Sequence, residues 1–168
     1  MKDGLDSVSL SANWMWPAKV EGENARLYSA VKAISDFCVD LGINIPTGKD
    51  SLSMTQKYPN GDLVYSPGTV IVSAAGEVSD VKKAVTPVLK NVENTKVIYV
   101  DFSLSNFDLG GSAFAQTLNS LGDKAPAVKS AEYVRKSFNI IQQLINEGLI
   151  LSGHDVSSGG LITTLLEM

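Results

Sequence analysis

The stretch Leu149-Ile150-Leu151-Ser152-Gly153-His154-Asp155-Val156-Ser157-Ser158-Gly159-Gly160-Leu161 decides the fold class. An apolar run of strand length meets a loop carrying one imidazole, one carboxylate, three hydroxyls and three glycines. A second apolar run, Leu161 to Leu166, then resumes at helix spacing. Strand, polar glycine loop and helix start form an α/β pattern. Backbone N–H groups without intrahelical partners and the positive end of the helix dipole face such a loop, which suits an anionic ligand. Glycines let backbone approach a phosphate where a Cβ would clash. Asp155 repels a bare phosphate, so a functional Asp155 holds a cation that bridges to one. The competing reading is a plain strand-to-helix turn with Ser157 or Ser158 as N-cap.

Two further polar glycine segments precede it. Ile43 to Pro46 reads as a short strand leading into the loop Thr47-Gly48-Lys49-Asp50-Ser51, where Lys49 suits a phosphate and Asp50 a metal or a hydroxyl. The upstream glycine and the long following helix of a P-loop are missing, and alternation over Ser51 to Met54 says strand. Exposed Lys-Asp pairs are also common and worth little. Lys96 to Asp101 reads as a strand, and Asn106 to Ser112, with paired Gly110 and Gly111, leads into a helix over Ala113 to Leu121. In α/β folds ligands gather at the carboxyl ends of strands, so the segments 48–51, 108–112 and 153–160 are the candidate binding loops.

The remaining elements follow from periodicity. Val8 to Leu10 alternates as a short strand, and the segment Ser11 to Pro17 holds Trp14 and Trp16 in a loop. Tryptophans in a loop either stack a base or sugar or plug the edge of a core, and the second use is commoner. A helix spans Glu21 to Leu41, its apolar stripe Leu27, Val31, Ile34, Cys38 and Leu41, with Gly42 ending it. Cys38 lies on that stripe and reads as a small core residue. Asn60-Gly61 marks a hairpin turn, and Thr69 to Ala75 a strand buried on both faces. Gly76 to Ala84 reads as a turn and short helix capped by Ser79. Aperiodic Thr86 to Thr95 holds the domain boundary, and Ser130 caps a helix with the stripe Val134, Phe138, Ile141 and Ile145.

Composition narrows the function classes. The chain has 168 residues, 44% of them hydrophobic, and a net charge of −4 without a basic run, which argues against nucleic acid as a partner. One cysteine excludes an internal disulfide framework. No apolar run approaches the ~20 residues that cross a bilayer, and no signal peptide opens the chain. A cytoplasmic protein without a membrane partner is expected. The helix over Leu161 to Met168 stops without a C-cap, and the chain opens abruptly on a strand, so a piece of a longer chain is expected. Open sheet edges in such a piece favour self-association.

Five segments in order carry a resemblance over essentially the whole chain: Leu10 to Met15, Glu21 to Ala33, Ile45 to Met54, Asp108 to Ala113 and His154 to Leu161. Together they resemble the second AIR-synthetase-like repeat of the large, single-chain phosphoribosylformylglycinamidine synthase family. That resemblance implies an α/β fold with α+β mixed sheets. Residues 1–90 would be the later part of an N-terminal subdomain and 91–168 the start of a C-terminal one. It implies ATP or ADP and Mg2+ as cofactors, nucleotide substrates, and the remaining domains of the polypeptide as partners, the glutaminase domain included. Residue by residue it implies Asp155 as a magnesium ligand, Ser157 and Gly48 as nucleotide contacts, and Lys49 and Ser51 as substrate or phosphate contacts. No catalytic residue falls within the chain. Lys49 stands where related short-chain synthases have a metal-ligating asparagine, so its ammonium would replace the cation or neutralise phosphate directly. Ser158 stands at a position usually held by aspartate. Asp155 and Ser157 would belong to an auxiliary site whose nucleotide does not react. The alternatives are a non-catalytic structural nucleotide-binding module and a paralogous ATP-dependent kinase or synthetase of the same superfamily.

Overall fold

The computed structural model describes residues 1–168, which form two compact units, Met1–Val78 and Ser79–Met168. The division lies ahead of the aperiodic 86–95 stretch that the sequence suggested. Hydrogen bonds explain why. Gly153 N–H donates to the Thr86 carbonyl, Ser152 Oγ to the Val88 carbonyl, and Leu89 N–H to the Met168 carbonyl, so this stretch belongs with the second unit.

The first unit is built on strand β1 (Val8–Met15). Helix α1 (Glu23–Leu41) follows, then β2 (Asn44–Ser51), the hairpin of β3 (Thr55–Lys57) and β4 (Leu63–Tyr65), and β5 (Thr69–Gly76). The sheet order is β2-β1-β5, with β1 parallel to β2 and antiparallel to β5, while β3 and β4 form a separate two-stranded sheet. This is the mixed-sheet α+β architecture expected. Period-two alternation in β1 sends Ala12 and Trp14 to one face, and Trp16 continues the series. These three are buried and pack with Leu27, Ala30 and Ile34 of α1 and with Ile45 and Val70 of the flanking strands. The two indoles lie 6.2 Å apart, and Arg26 stands 5.8 Å over the Trp16 ring. Both tryptophans are therefore core, as the commoner reading had it, but Trp14 stands in a strand, not a loop.

Helix α1 stops at Gly42, whose φ of 70° is the left-handed conformation that a Cβ disfavours, and whose N–H bonds back to the Val39 carbonyl. Cys38 and Leu41 are buried on its stripe, Leu27 and Ile34 are half-buried, and Val31 is exposed. Burial pushes the Cys38 thiol up from its ordinary value, as a core residue and not a nucleophile requires.

Strand β2 corrects the sequence reading of a loop at 47–51. Thr47, Gly48, Lys49, Asp50 and Ser51 pair in register with Ser11, Ala12, Asn13, Trp14 and Met15. The register slips between Ser9 and Ser11, opposite Pro46, which has no N–H to give the ladder. A Cβ on Gly48 would fall 2.0 Å from the Ala12 carbonyl oxygen, so this close approach of two backbones requires glycine. Strand β5 is an edge strand, its residues from Ile71 to Gly76 exposed, and not the doubly buried strand its apolar run suggested.

The second unit contains a 3₁₀ turn at Val81–Lys83, α2 (Ala113–Thr117), α3 (Ala131–Asn146) and α4 (Gly160–Glu167). Asp80, and not Ser79, caps the turn by accepting from Lys82 N–H. Ser112 caps α2 and Ser130 caps α3 by accepting the N–H groups of Ala115 and Tyr133. The α3 stripe of Val134, Phe138, Ile141 and Ile145 is half-buried as its spacing requires. Neither Lys96–Asp101 nor Leu149–Leu151 forms a strand. Both have the composition for it, but a strand exists only as one side of a ladder, and no segment pairs with either. Val97 and Ile98 are accordingly 68% and 77% exposed. The 96–101 run ends instead in a turn where Asp101 Oδ1 accepts from Ser103 Oγ at 2.6 Å and from Ser103 N–H at 2.8 Å.

Two outcomes follow from this architecture. Gly48→Ala should destabilise the first unit by about 1–3 kcal/mol through overpacking against backbone, read as a lowered midpoint in chemical denaturation. The Ser103 hydroxyl and amide hold the Asp101 carboxyl below its ordinary value. A depressed carboxyl contributes order above its unfolded value and loses it as pH falls through the folded one. Asp101 should therefore titrate late in an acid NMR series, and Ser103→Ala should move that titration back up.

Candidate functional site

Lys49 and Ser51 alternate with Gly48 and Asp50 along β2, so the pairs leave opposite faces of the sheet. Lys49 and Ser51 share the face away from α1 with Asn13 and Met15, their partners on β1, and Lys49 Nζ donates to Ser51 Oγ at 2.6 Å. The rung through Asn13 continues to Ile71 on β5, and the rung through Ser11 joins Thr47 to Ser73. This face carries hydroxyls, a carboxamide and an ammonium, and no carboxylate from the three paired strands. Asp50 points the other way, into a cleft of about 310 Å³ that Trp14, Leu27, Val31 and Leu52 also line. Lys49 and Asp50 are thus neighbours in sequence with separate surroundings. Gly48 faces the Ala12 backbone, so its structural role is close packing.

In the second unit the loop 153–159 leads into α4. The N-cap is Gly159, with φ 99° and no side-chain cap, which removes Ser157 and Ser158 from the capping role that the plainer reading gave them. Ser157 instead accepts the Gly160 N–H on its carbonyl at 3.0 Å and keeps its side chain exposed. Buried Thr164 reaches back from α4, its Oγ1 donating to the Asp155 carbonyl at 3.3 Å or the Gly160 carbonyl at 3.2 Å. His154 lies between two carboxylates, Nδ1 3.3 Å from Asp155 Oδ1 and Nε2 3.2 Å from Glu167 Oε2. A neutral imidazole donates through one nitrogen only, and the protonated ring donates through both. The Asp155 side chain is 87% exposed against 20% for His154, so its carboxylate faces solvent while one oxygen touches the ring.

No group of three or more His, Cys, Asp and Glu side chains is arranged to hold a metal. Asp155 offers a hard oxygen ligand of the type Mg2+ takes, and Mg2+ commonly uses one or two carboxylates with phosphates and water completing its shell. The chain therefore fits the role of one contributed ligand and not of a complete site. Gly48, Lys49 and Ser51 share one strand of the first unit, and Asp155 and Ser157 share one loop of the second. In sequence Asn13 is one residue of the Leu10 to Met15 segment and does not stand out from it. The signal that marks it is the alternation Ser9, Ser11, Asn13, Met15 against Leu10, Ala12, Trp14, Trp16, which extends the strand through the supposed loop.

Residues 1–77 match the family model described as the FGAR-AT PurM_N-like domain. The chain is 42% identical, over 98% of its length, to a probable phosphoribosylformylglycinamidine synthase of Caenorhabditis elegans, of which it covers 13%. It is 42% identical over 98% of its length to the phosphoribosylformylglycinamidine synthase of Dictyostelium discoideum, covering 12% of that protein. A probable chloroplastic/mitochondrial phosphoribosylformylglycinamidine synthase of Arabidopsis thaliana is 41% identical over the same share. The chain thus spans about an eighth of the length of these relatives. From end to end, with an N-terminal domain match on the β1-centred unit, the chain is similar to one segment of proteins named phosphoribosylformylglycinamidine synthase.

Proposed function

We propose that this chain serves as a segment of an ATP-dependent amidoligase that converts formylglycinamide ribonucleotide and glutamine-derived ammonia to formylglycinamidine ribonucleotide. The observation that carries the reading is identity above 40% along the whole chain to proteins bearing that name. In the reaction the amide oxygen takes the terminal phosphoryl group of ATP, and ammonia then displaces it as inorganic phosphate. Within that scheme Lys49 neutralises a ligand phosphate, and its bond to Ser51 fixes the direction of the ammonium. Asp155 holds Mg2+ through its exposed carboxylate, and Ser157 contacts nucleotide beside the start of α4. Magnesium, when bound, offsets charge on the phosphates. Gly48 contributes by letting β2 lie close to β1, which favours a structural part for that residue beside the nucleotide contact that the resemblance implies.

The partners in this reading are the other domains of the longer polypeptide, a glutaminase domain among them, with each of the two units continuing into a neighbouring subdomain. Asp155 and Ser157 serve the auxiliary nucleotide position. No helix is long and apolar enough to cross a membrane. The cytoplasm is the proposed compartment, although the Arabidopsis relative is designated chloroplastic/mitochondrial. Isolated copies pair through the open edges of β2 and β5.

Calorimetric titration checks the completeness of the site: the chain alone should bind Mg-ATP weakly or not at all, and tight binding with hydrolysis would count against the reading. In the full-length protein Lys49→Met should raise KM for formylglycinamide ribonucleotide about tenfold or more, with ATP affinity little changed. Asp155→Ala should lower the nucleotide that co-purifies with the full-length protein more than it raises that KM. Nucleotide retained in full would remove Asp155 from the auxiliary position.

A further inference from the structure

We propose that Asn13 binds the ligand of the open sheet face, its carboxamide gripping the hydroxyls of a sugar phosphate whose phosphate lies at Lys49. The inference rests on the reading of Lys49 and Ser51 as ligand contacts and adds a residue and a ligand orientation to it.

Asn13 sits where a sheet least favours it. Asparagine is depleted in strands, and this one lies within β1, the strand with a neighbour on each side. Its side chain is half-buried, and it enters none of the side-chain hydrogen bonds of the chain. Half-buried Ser11 and exposed Ser73 on the adjoining rung likewise enter none, which leaves further donors and acceptors uncommitted on this face. A face meant to pack against protein is usually apolar, whereas this one offers polar side chains at most of its paired positions.

The rung gives the ligand its direction. Lys49, Asn13 and Ile71 are register partners across β2, β1 and β5. Neighbouring strands lie roughly 5 Å apart, so an ammonium, a carboxamide and an apolar side chain follow one another over about 10 Å. The ammonium suits a phosphate. The carboxamide both donates and accepts, which matches a diol better than a further charge would. Ile71, 53% exposed, suits the less polar end of the molecule. No carboxylate of the paired strands stands on this face to repel an anion, in a chain whose net charge is −4.

The test uses the full-length protein, with formylglycinamide ribonucleotide as substrate and ribose 5-phosphate as competing probe. Asn13→Ala should raise KM for the ribonucleotide and the inhibition constant of ribose 5-phosphate each by about fivefold to tenfold, leaving KM for ATP unchanged. Asn13→Asp keeps the shape and sets a carboxylate beside Lys49, so it should weaken the probe further while the melting temperature holds. If Lys49→Met raises both constants and neither Asn13 variant does, the inference falls and the ligand reading of Lys49 stands. If none of the three variants changes them, both fall. An Asn13→Asp protein that melts early yet binds ribose 5-phosphate normally would show a face that packs against another domain, which also overturns the inference.

Discussion

Everything in the first unit depends on β1 being held from both sides at once. Its backbone pairs in parallel with β2 and antiparallel with β5, and its side chains alternate between a tryptophan-rich core face and a polar one. The two-sided ladder satisfies the strand's N–H and C=O groups, and the indoles supply the largest apolar surfaces of the core. The constraint is sharpest at Gly48, where the backbones of β1 and β2 come too close for any side chain. That contact fixes the register of β2, and the register decides that Lys49 meets Asn13 while Asp50 turns towards α1.

The polar and apolar faces therefore share a single cause. With Ala12 and Trp14 committed to the helix side, Ser11 and Asn13 must leave from the other, and their partners on β2 must follow. A chemically uncommitted surface arises because the sheet's other face supplies the core. The second unit works by a different rule. There helices capped by Ser112 and Ser130 alternate with long irregular connections, and the loop before α4 is tied by Thr164 reaching back to backbone carbonyls. His154, flanked by Asp155 and Glu167, links the loop to the last turn of that helix.

What the sequence made legible was local. Helix α1 could be read from its stripe and from Gly42, the hairpin from Asn60-Gly61, and α3 from Ser130 and its spacing, because each signal lies within a few residues of what it specifies. Strands were harder, since their existence depends on a partner remote in sequence. Lys96–Asp101 has strand composition and no ladder, whereas Gly48-Lys49-Asp50 has loop composition and a complete one. The alternation that would have placed Trp14 in a strand was present, but small polar residues on the intervening positions resembled a loop. Lys49 and Asp155 could be read as phosphate and cation partners from the chemistry of their own segments, whereas the binding roles of Ser51 and Ser157 came from family resemblance alone. The face that gathers Asn13 with Lys49 needed the register, which no local pattern encodes.

Lys49 and Asp50 stand side by side in the chain yet serve opposite surfaces, and this places an unusual demand on the short link between α1 and β2. Inserting or deleting a single residue near Ile43, with the ladder re-formed one step along, would exchange a cation for an anion on both sides together. Substitutions in that link need only preserve a turn, but its length acts as a reading frame for charge. Divergence among relatives should accordingly tolerate changed letters there far more readily than a changed count.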